Sequence, residues 1–228
     1  MDAQQKMEKM GQLYGSWRDC ERCDLCKTRH RVVFGEGNPD AHLLIVGEAP
    51  GETEDLNGGP FCGRSGEVVD DFLGLFNSSR DEVFITNIGG CRSTDEGGSN
   101  RPPSKEEQKA CLPRVYEIIR LVDPYVILLL GDTALRALTK EKRKISKLAQ
   151  NSNFPGISVS IPGVMVPVEW PAFATFHPMY LNMNWSTEEG SDVHMSYLCW
   201  QKAFQMSDSY AEHYRGITPP QRSKQNGR

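Results

Sequence analysis

Four short runs, HLLIVG (42 to 47), EVFITN (82 to 87), YVILLLG (125 to 131) and AFATFH (172 to 177), are apolar almost throughout and bounded by glycine, proline or polar residues. Runs of this length and uniformity belong to strands buried on both faces, as in a parallel sheet covered by helices. Between them lie segments with helical periodicity: GEVVDDFLGLF (66 to 76), SKEEQKACLPRVYEIIRLV (104 to 122) and DTALRALTK (132 to 140). Ser104 followed by Glu107 is a capping box, and Pro113 is expected to kink that helix or split it in two. GISVSIPGVMVPVEWP (156 to 171) reads as a hairpin turning at Ile161 to Gly163. The alternation predicts an α/β fold: a three-layer α/β/α domain around a central four-stranded parallel sheet, spanning residues 1 to 212. The stretch from 213 to 228, HYRGITPPQRSKQNGR, has the composition of a disordered tail.

At 228 residues and 38% hydrophobic content the chain can bury one sizeable core. No apolar run approaches the roughly 20 residues of a membrane span, and the first residues lack the apolar centre of a secretory signal. A soluble, intracellular protein is expected. The formal net charge of −4 lends no support to nonspecific attraction to nucleic acid, but bulk charge does not report on a local groove. The basic run TKEKRKISK (139 to 147) reads as a solvated face.

Seven cysteines in such a chain are not a disulfide framework, because the cytosol keeps thiols reduced. Metal binding or burial is left. Cys20, Cys23 and Cys26 form C-x-x-C-x-x-C, whose pairs can reach one metal from a single turn but need further ligands; Cys91 and Cys111 lie at the edges of predicted elements. Zinc and an iron-sulfur cluster both accept four thiolates, and both stay open on this chemistry.

In parallel sheets ligands bind outside the carboxyl ends of the strands. Gly47 to Gly51, Asn87, Gly131 and His177 therefore share one crevice. Into it runs VGEAPGETEDLNGGPFCGRSG (46 to 66), with six glycines, two prolines and a single aromatic, Phe61.

The successive segments RVVFGEGNPDAHLLIVGEAPGETEDLNGGPFCGRSG, VFITNIGGCR, NRPPSKEEQKAC, LLLGDTAL and FHPMYL resemble, in order, the motifs of the iron-sulfur uracil-DNA glycosylases, family four of the uracil-DNA glycosylase superfamily. The likeness runs from about Cys20 to Leu181. It implies a monofunctional DNA glycosylase that starts base-excision repair. Its substrate would be uracil in single- or double-stranded DNA, and it would act as a monomer in the cytoplasm or at the nucleoid. It also implies a [4Fe-4S] cluster whose ligands, by position, are Cys20, Cys23, Cys91 and Cys111, tying down the N-terminal segment. Cys26, Cys62 and Cys199 fall outside the pattern.

An enzyme that acts on a base draws the nucleotide out of the stack, reading its edge by hydrogen bonds and its face by stacking. Bare backbone at Gly47, Ala49 and Gly51 allows close approach, with N–H groups of the Glu48 to Gly51 loop facing a base carbonyl. Phe61 is expected to stack on the ring. The Asn87 amide can answer uracil's C4 carbonyl and N3–H together, a pattern that cytosine reverses. By the resemblance, Glu54 occupies the side of the pocket that excludes thymine's methyl. His177 is the expected donor to O2 of the departing uracil, and a neutral imidazole suffices. Other uracil glycosylases carry a water-orienting Asp where Ala49 stands here, leaving Glu48 as the nearest ionisable group. A wedge for the vacated stack is expected at Tyr180, Leu181 and Met183.

The sequence departs from the family at Asn182 to Asn184, where an Arg is usual, at Gly90 for Lys, at Cys62 and Ser65 for Val and Ala, and in a longer loop after Cys91. Two other readings follow: a relative acting on a modified pyrimidine, or a noncatalytic DNA-binding scaffold.

Overall fold

The computed structural model describes residues 1–149, 157–162, 168–184, 186 and 188–213. The four apolar runs become β2 (Leu43–Gly47), β3 (Phe84–Asn87), β4 (Val126–Leu130) and β6 (Glu169–Thr175), parallel to one another in the order β3-β2-β4-β6. Every residue of β2, β3 and β4 is buried, which is why these runs carry no polar alternation. The sheet has six strands rather than four. The two-residue β1 (Glu36–Gly37) joins β3 antiparallel at one edge, and β5 (Ile157–Ser160) joins β6 antiparallel at the other. The β5/β6 pairing is the expected hairpin; residues 163–167 of its connection lie outside the described residues, as does the expected tail from 214.

Strand order fixes the layers. The chain moves from β2 to β3 in one direction and from β3 to β4 in the other, so right-handed crossovers put the intervening helices on opposite faces. One crossover carries α2 (Glu52–Asn57) and α3 (Arg64–Leu75), the other α4 (Lys105–Val122). Phe72 of α3 stacks on Trp200 of α8 (Asp192–His213), centroids 5.2 Å apart, so α8 shares the face of α3. On the opposite face α1 (Ala3–Trp17) packs on α4, where the Trp17 indole N–H donates to Glu117 at 2.9 Å. The remaining helices are α5 (Asp132–Leu138), α6 (Ile145–Ala149) and α7 (Pro178–Met183). No described helix is long and apolar enough to cross a membrane.

The capping box forms as expected, Glu107 N–H donating to Ser104 and Ser104 N–H to the Glu107 carboxylate. Pro113 does not split α4, which runs unbroken. The ring sits on the exposed side of the helix, where the carbonyl it leaves unbonded can be hydrated. In the basic run, Lys142, Arg143 and Lys144 are exposed while Ile145 and Leu148 of α6 anchor the segment in the core.

Candidate active site and cysteine corner

The carboxyl ends of β2, β3 and β6 open into a cleft of about 750 Å³. It is lined by Glu48, Phe61, Asn87 and His177, with Asn100 and Met179 at its edges. The loop after β2 is built by close approach. A Cβ on Gly47 would stand 2.3 Å from Cζ of Phe61 and 2.4 Å from Oδ1 of Asn87, so only glycine lets the ring and the amide meet over the strand end. Phe61 has a positive φ of 52°, unusual for a bulky residue. Arg80 holds it there: its guanidinium donates to the carbonyls of Pro60 and Phe61 and pairs with Asp70 and Glu36. Phe61 is 5% exposed, with its ring centroid 6.2 Å from that of His177.

Asn87 is buried at the end of β3, and its Oδ1 has no hydrogen-bond partner. A buried carbonyl-type oxygen without a donor is costly, on the order of 1–3 kcal/mol. This one faces the cleft that Phe61 lines.

His177 caps the N-terminus of α7. The Met179 N–H donates to its Nδ1 at 3.2 Å, which makes Nδ1 the acceptor and leaves the proton on Nε2. Burial pushes the imidazole below the ordinary histidine range, and the Glu48 carboxylate opposes that shift more weakly. The result is a neutral ring with one N–H to donate. Glu48 in turn accepts from the Thr133 hydroxyl at the start of α5.

Glu54 lies at the cleft but uses both carboxylate oxygens on backbone: Gly51 N–H donates to Oε2 at 3.0 Å and Gly63 N–H to Oε1 at 2.8 Å. It staples the start of α2 to the start of α3. Gly51 N–H is thereby engaged, so of the loop donors expected to face a base carbonyl, this one is already taken. Ala49 lines the cleft and brings no ionisable group to it.

The expected wedge is corrected at one position. Leu181 is 1% exposed and packs in the main core, whereas Tyr180 and Met183 are exposed at 44% and 78%. On α7, Pro178 and Leu181 are three residues apart and face inward, which turns Met179, Tyr180 and Met183 outward. Tyr180 is further held by its hydroxyl donating to Asp192 at 2.8 Å.

Sequence reasoning missed Thr133, Arg80, Met179 and the two arginines that frame the rim. Arg92 donates to Asn100 and pairs with Glu52, and Arg101 grips Glu107 through both terminal nitrogens. The longer loop after Cys91 is thus folded back as a wall of the cleft, with Thr94 bridged to Asn100. Arg64, exposed at the opposite lip, was also missed.

The cysteines fall into two groups. Cys91 is buried in a small apolar cluster with Leu25 and Val32, against which Cys20 and Cys23 pack. Cys111, on α4, is an electrostatic neighbour of both Cys23 and Cys91. Burial pushes the Cys91 thiol up to about 11, against the pull of Arg29, whose guanidinium donates to its sulfur at 3.6 Å and to the Cys20 carbonyl at 2.6 Å. Cys26 interacts instead with Lys27. Cys62 is exposed and Cys199 buried elsewhere. Among the described residues no group of three or more His, Cys, Asp or Glu side chains is placed to hold a metal ion. Four thiols in one corner are the donor set that a thiolate-held metal group takes. Two neighbouring cations, Arg29 and Arg114, fit an anionic metal-thiolate group.

The sequence model of the uracil DNA glycosylase superfamily matches residues 34–203. The chain is similar to the type-4 uracil-DNA glycosylase of Thermotoga maritima, 36% identical over 75% of this chain and 82% of that protein. It is similar also to those of Saccharolobus solfataricus, 34% identical over 75% of this chain and 76% of that protein, and Pyrobaculum aerophilum, 40% identical over 53% and 60%.

Proposed function

The chain belongs to the type-4 uracil-DNA glycosylases of the uracil DNA glycosylase superfamily, and on that premise we propose that it hydrolyses the N-glycosidic bond of uracil in DNA, leaving an abasic site. The observation that carries the reading is the unpartnered Oδ1 of Asn87, buried beside Phe61 at the foot of the cleft. Uracil drawn from the stack would supply the missing donor from N3–H and accept from the same amide at O4, with its face against Phe61. Cytosine would set an acceptor against an acceptor there.

Bond breaking moves negative charge onto N1 and O2 of the leaving base. His177, neutral and carrying its proton on Nε2, donates toward O2, and a preorganised donor of this kind contributes about 3–4 kcal/mol to the barrier. Glu48, fixed by Thr133, is the group available to orient water toward the sugar cation. Glu54 acts by holding the loop that shapes the pocket, and its packed carboxylate forms the wall on the side where thymine would carry a methyl. Tyr180 and Met183, with Met179, form the surface that meets the duplex, and Arg64 suits a backbone phosphate at the lip. A single copy working inside the cell completes the reading.

Cys20, Cys23, Cys91 and Cys111 would hold a [4Fe-4S] cluster. Bound there, it would tie the N-terminal segment to the Cys91 loop and α4, and it supplies no step of the hydrolysis.

The test is uracil release from matched single- and double-stranded oligonucleotides with cytosine and thymine controls, by the protein and by Asn87→Ala. Release from uracil alone, lost in the variant, is expected. Release of a different pyrimidine would move the substrate class, and binding without release of any base would make the chain a scaffold.

A further inference from the structure

Arg114 is a fully buried cation with no carboxylate among its contacts in the described residues. It lies three residues after Cys111, on the same side of α4, and is 1% exposed. One terminal nitrogen donates to the Phe34 carbonyl and to the Thr86 hydroxyl (3.1 Å); the other donates to the carbonyls of Asn87 and Ile88, the latter at 3.3 Å. The guanidinium also lies over the Phe34 ring, 5.7 Å from its centroid. Its Nε has no hydrogen-bond partner among the described residues, and its ionisable neighbours are the thiols of Cys111, Cys91 and Cys20. Gly90 makes room for it, since a Cβ there would stand 3.2 Å from Nε.

A buried charge without a counter-charge is strongly disfavoured. Protonated thiols supply none. Four thiolates around a metal group carry a net negative charge, whether that group is an iron-sulfur cubane or zinc, and they are the one source of negative charge among the described contacts of Arg114. The other side of the same guanidinium holds the carbonyl of Asn87, whose amide waits in the cleft.

We propose that Arg114 is a positioning residue that couples metal occupancy of the cysteine corner to base reading by Asn87. This rests on the reading of the corner as a metal-thiolate site. With the metal group in place, the guanidinium is pinned between thiolates and the end of β3, and the Asn87 amide is held in register. When the metal leaves, the cation loses its compensation and draws toward water, and the strand end loosens.

The experiment compares metal-loaded protein, chelator-stripped protein, Arg114→Lys and Arg114→Gln. Four things are read: iron and zinc content, hydrogen exchange at Ile88 and Gly89, whose N–H groups bond to Gly47 and Glu48, the affinity for free uracil, and the KM and kcat of uracil release. Stripping and Arg114→Gln should each weaken uracil binding about tenfold, the size of one misaligned hydrogen bond. Both should speed exchange at those amides and raise KM more than they lower kcat. Arg114→Lys should recover part of each effect, which a loss of packing alone would not. Unchanged exchange and uracil affinity after stripping overturn the coupling, and that arm decides even where Arg114→Gln does not fold. Zinc in place of iron would sink the iron-sulfur assignment and leave the coupling standing. A protein purified anaerobically with no metal at all overturns both. Should free uracil not bind even the loaded protein, the substrate reading fails, and unchanged exchange at Ile88 and Gly89 on stripping would separately refute the coupling.

Discussion

Of the three buried side-chain atoms without partners among the described residues, Asn87 Oδ1 and Arg114 Nε sit in opposite kinds of place. The first looks into an open cleft, so a visiting donor can satisfy it and leave. The second is sealed beneath Gly90 and Val32, beside thiols, where only a resident group can serve. An orphan at a solvent-reached end of a strand is open to a visiting donor; one closed in a side-chain corner is not. The two sit on either side of the end of β3, joined by one guanidinium.

The contrast breaks most sharply at the pocket. His177→Ala should lower uracil release roughly 10²–10³-fold in single-turnover assays, with iron content unchanged; a matching loss of iron would mean that the two regions are not separable. The wild-type pH profile should agree. Burial sets the imidazole below its ordinary range, so the neutral donor persists through neutrality, and kcat should fall only as pH drops below that range. The stability this histidine contributes has the same sign, being complete above the unfolded-state pKa and lost as pH falls from there toward the lower folded-state value. Gly47→Ala comes next. Its methyl must displace Phe61 or Asn87, costing about 1–3 kcal/mol of stability together with uracil affinity; a thermal melt alongside uracil binding checks both. Thr133→Val frees Glu48 from one hydrogen bond and should cost about fivefold in kcat, with KM and metal content untouched. Met183→Ala should be the mildest, within about 0.5 kcal/mol in stability, lowering release from duplex more than from single strands.

The sheet was legible because strands buried on both faces read as unbroken apolar runs, and the cleft followed because their ends must converge. Where the pattern thins, legibility ends. β1 is two residues long. α8 turns Val193, Ser196, Trp200, Ala203 and Ser207 inward at helical spacing, but its serines, buried because they are small, hide the stripe. α1 buries only Met10 and Trp17. Leu181 read as a wedge since apolarity alone does not tell which way a one-and-a-half-turn helix faces. Arg114, in the sequence CLPR, could have been noticed as a cation one turn from a cysteine, but that its other side grips Asn87 depends on packing that no local pattern encodes.

The four thiols that gather at the corner span a long stretch of chain, from Cys20 to Cys111 in α4, which follows β3. At a synthesis rate of about 5–20 residues per second, the interval between making them is on the order of 5–20 s. Throughout it the N-terminal thiols wait without their partners, so the proposed metal group could be completed only after Cys111 has been made. A chain without such a group would keep α1 on α4 through Trp17 and Glu117, but the segment from Cys20 to Val32 would lack its tie to α4.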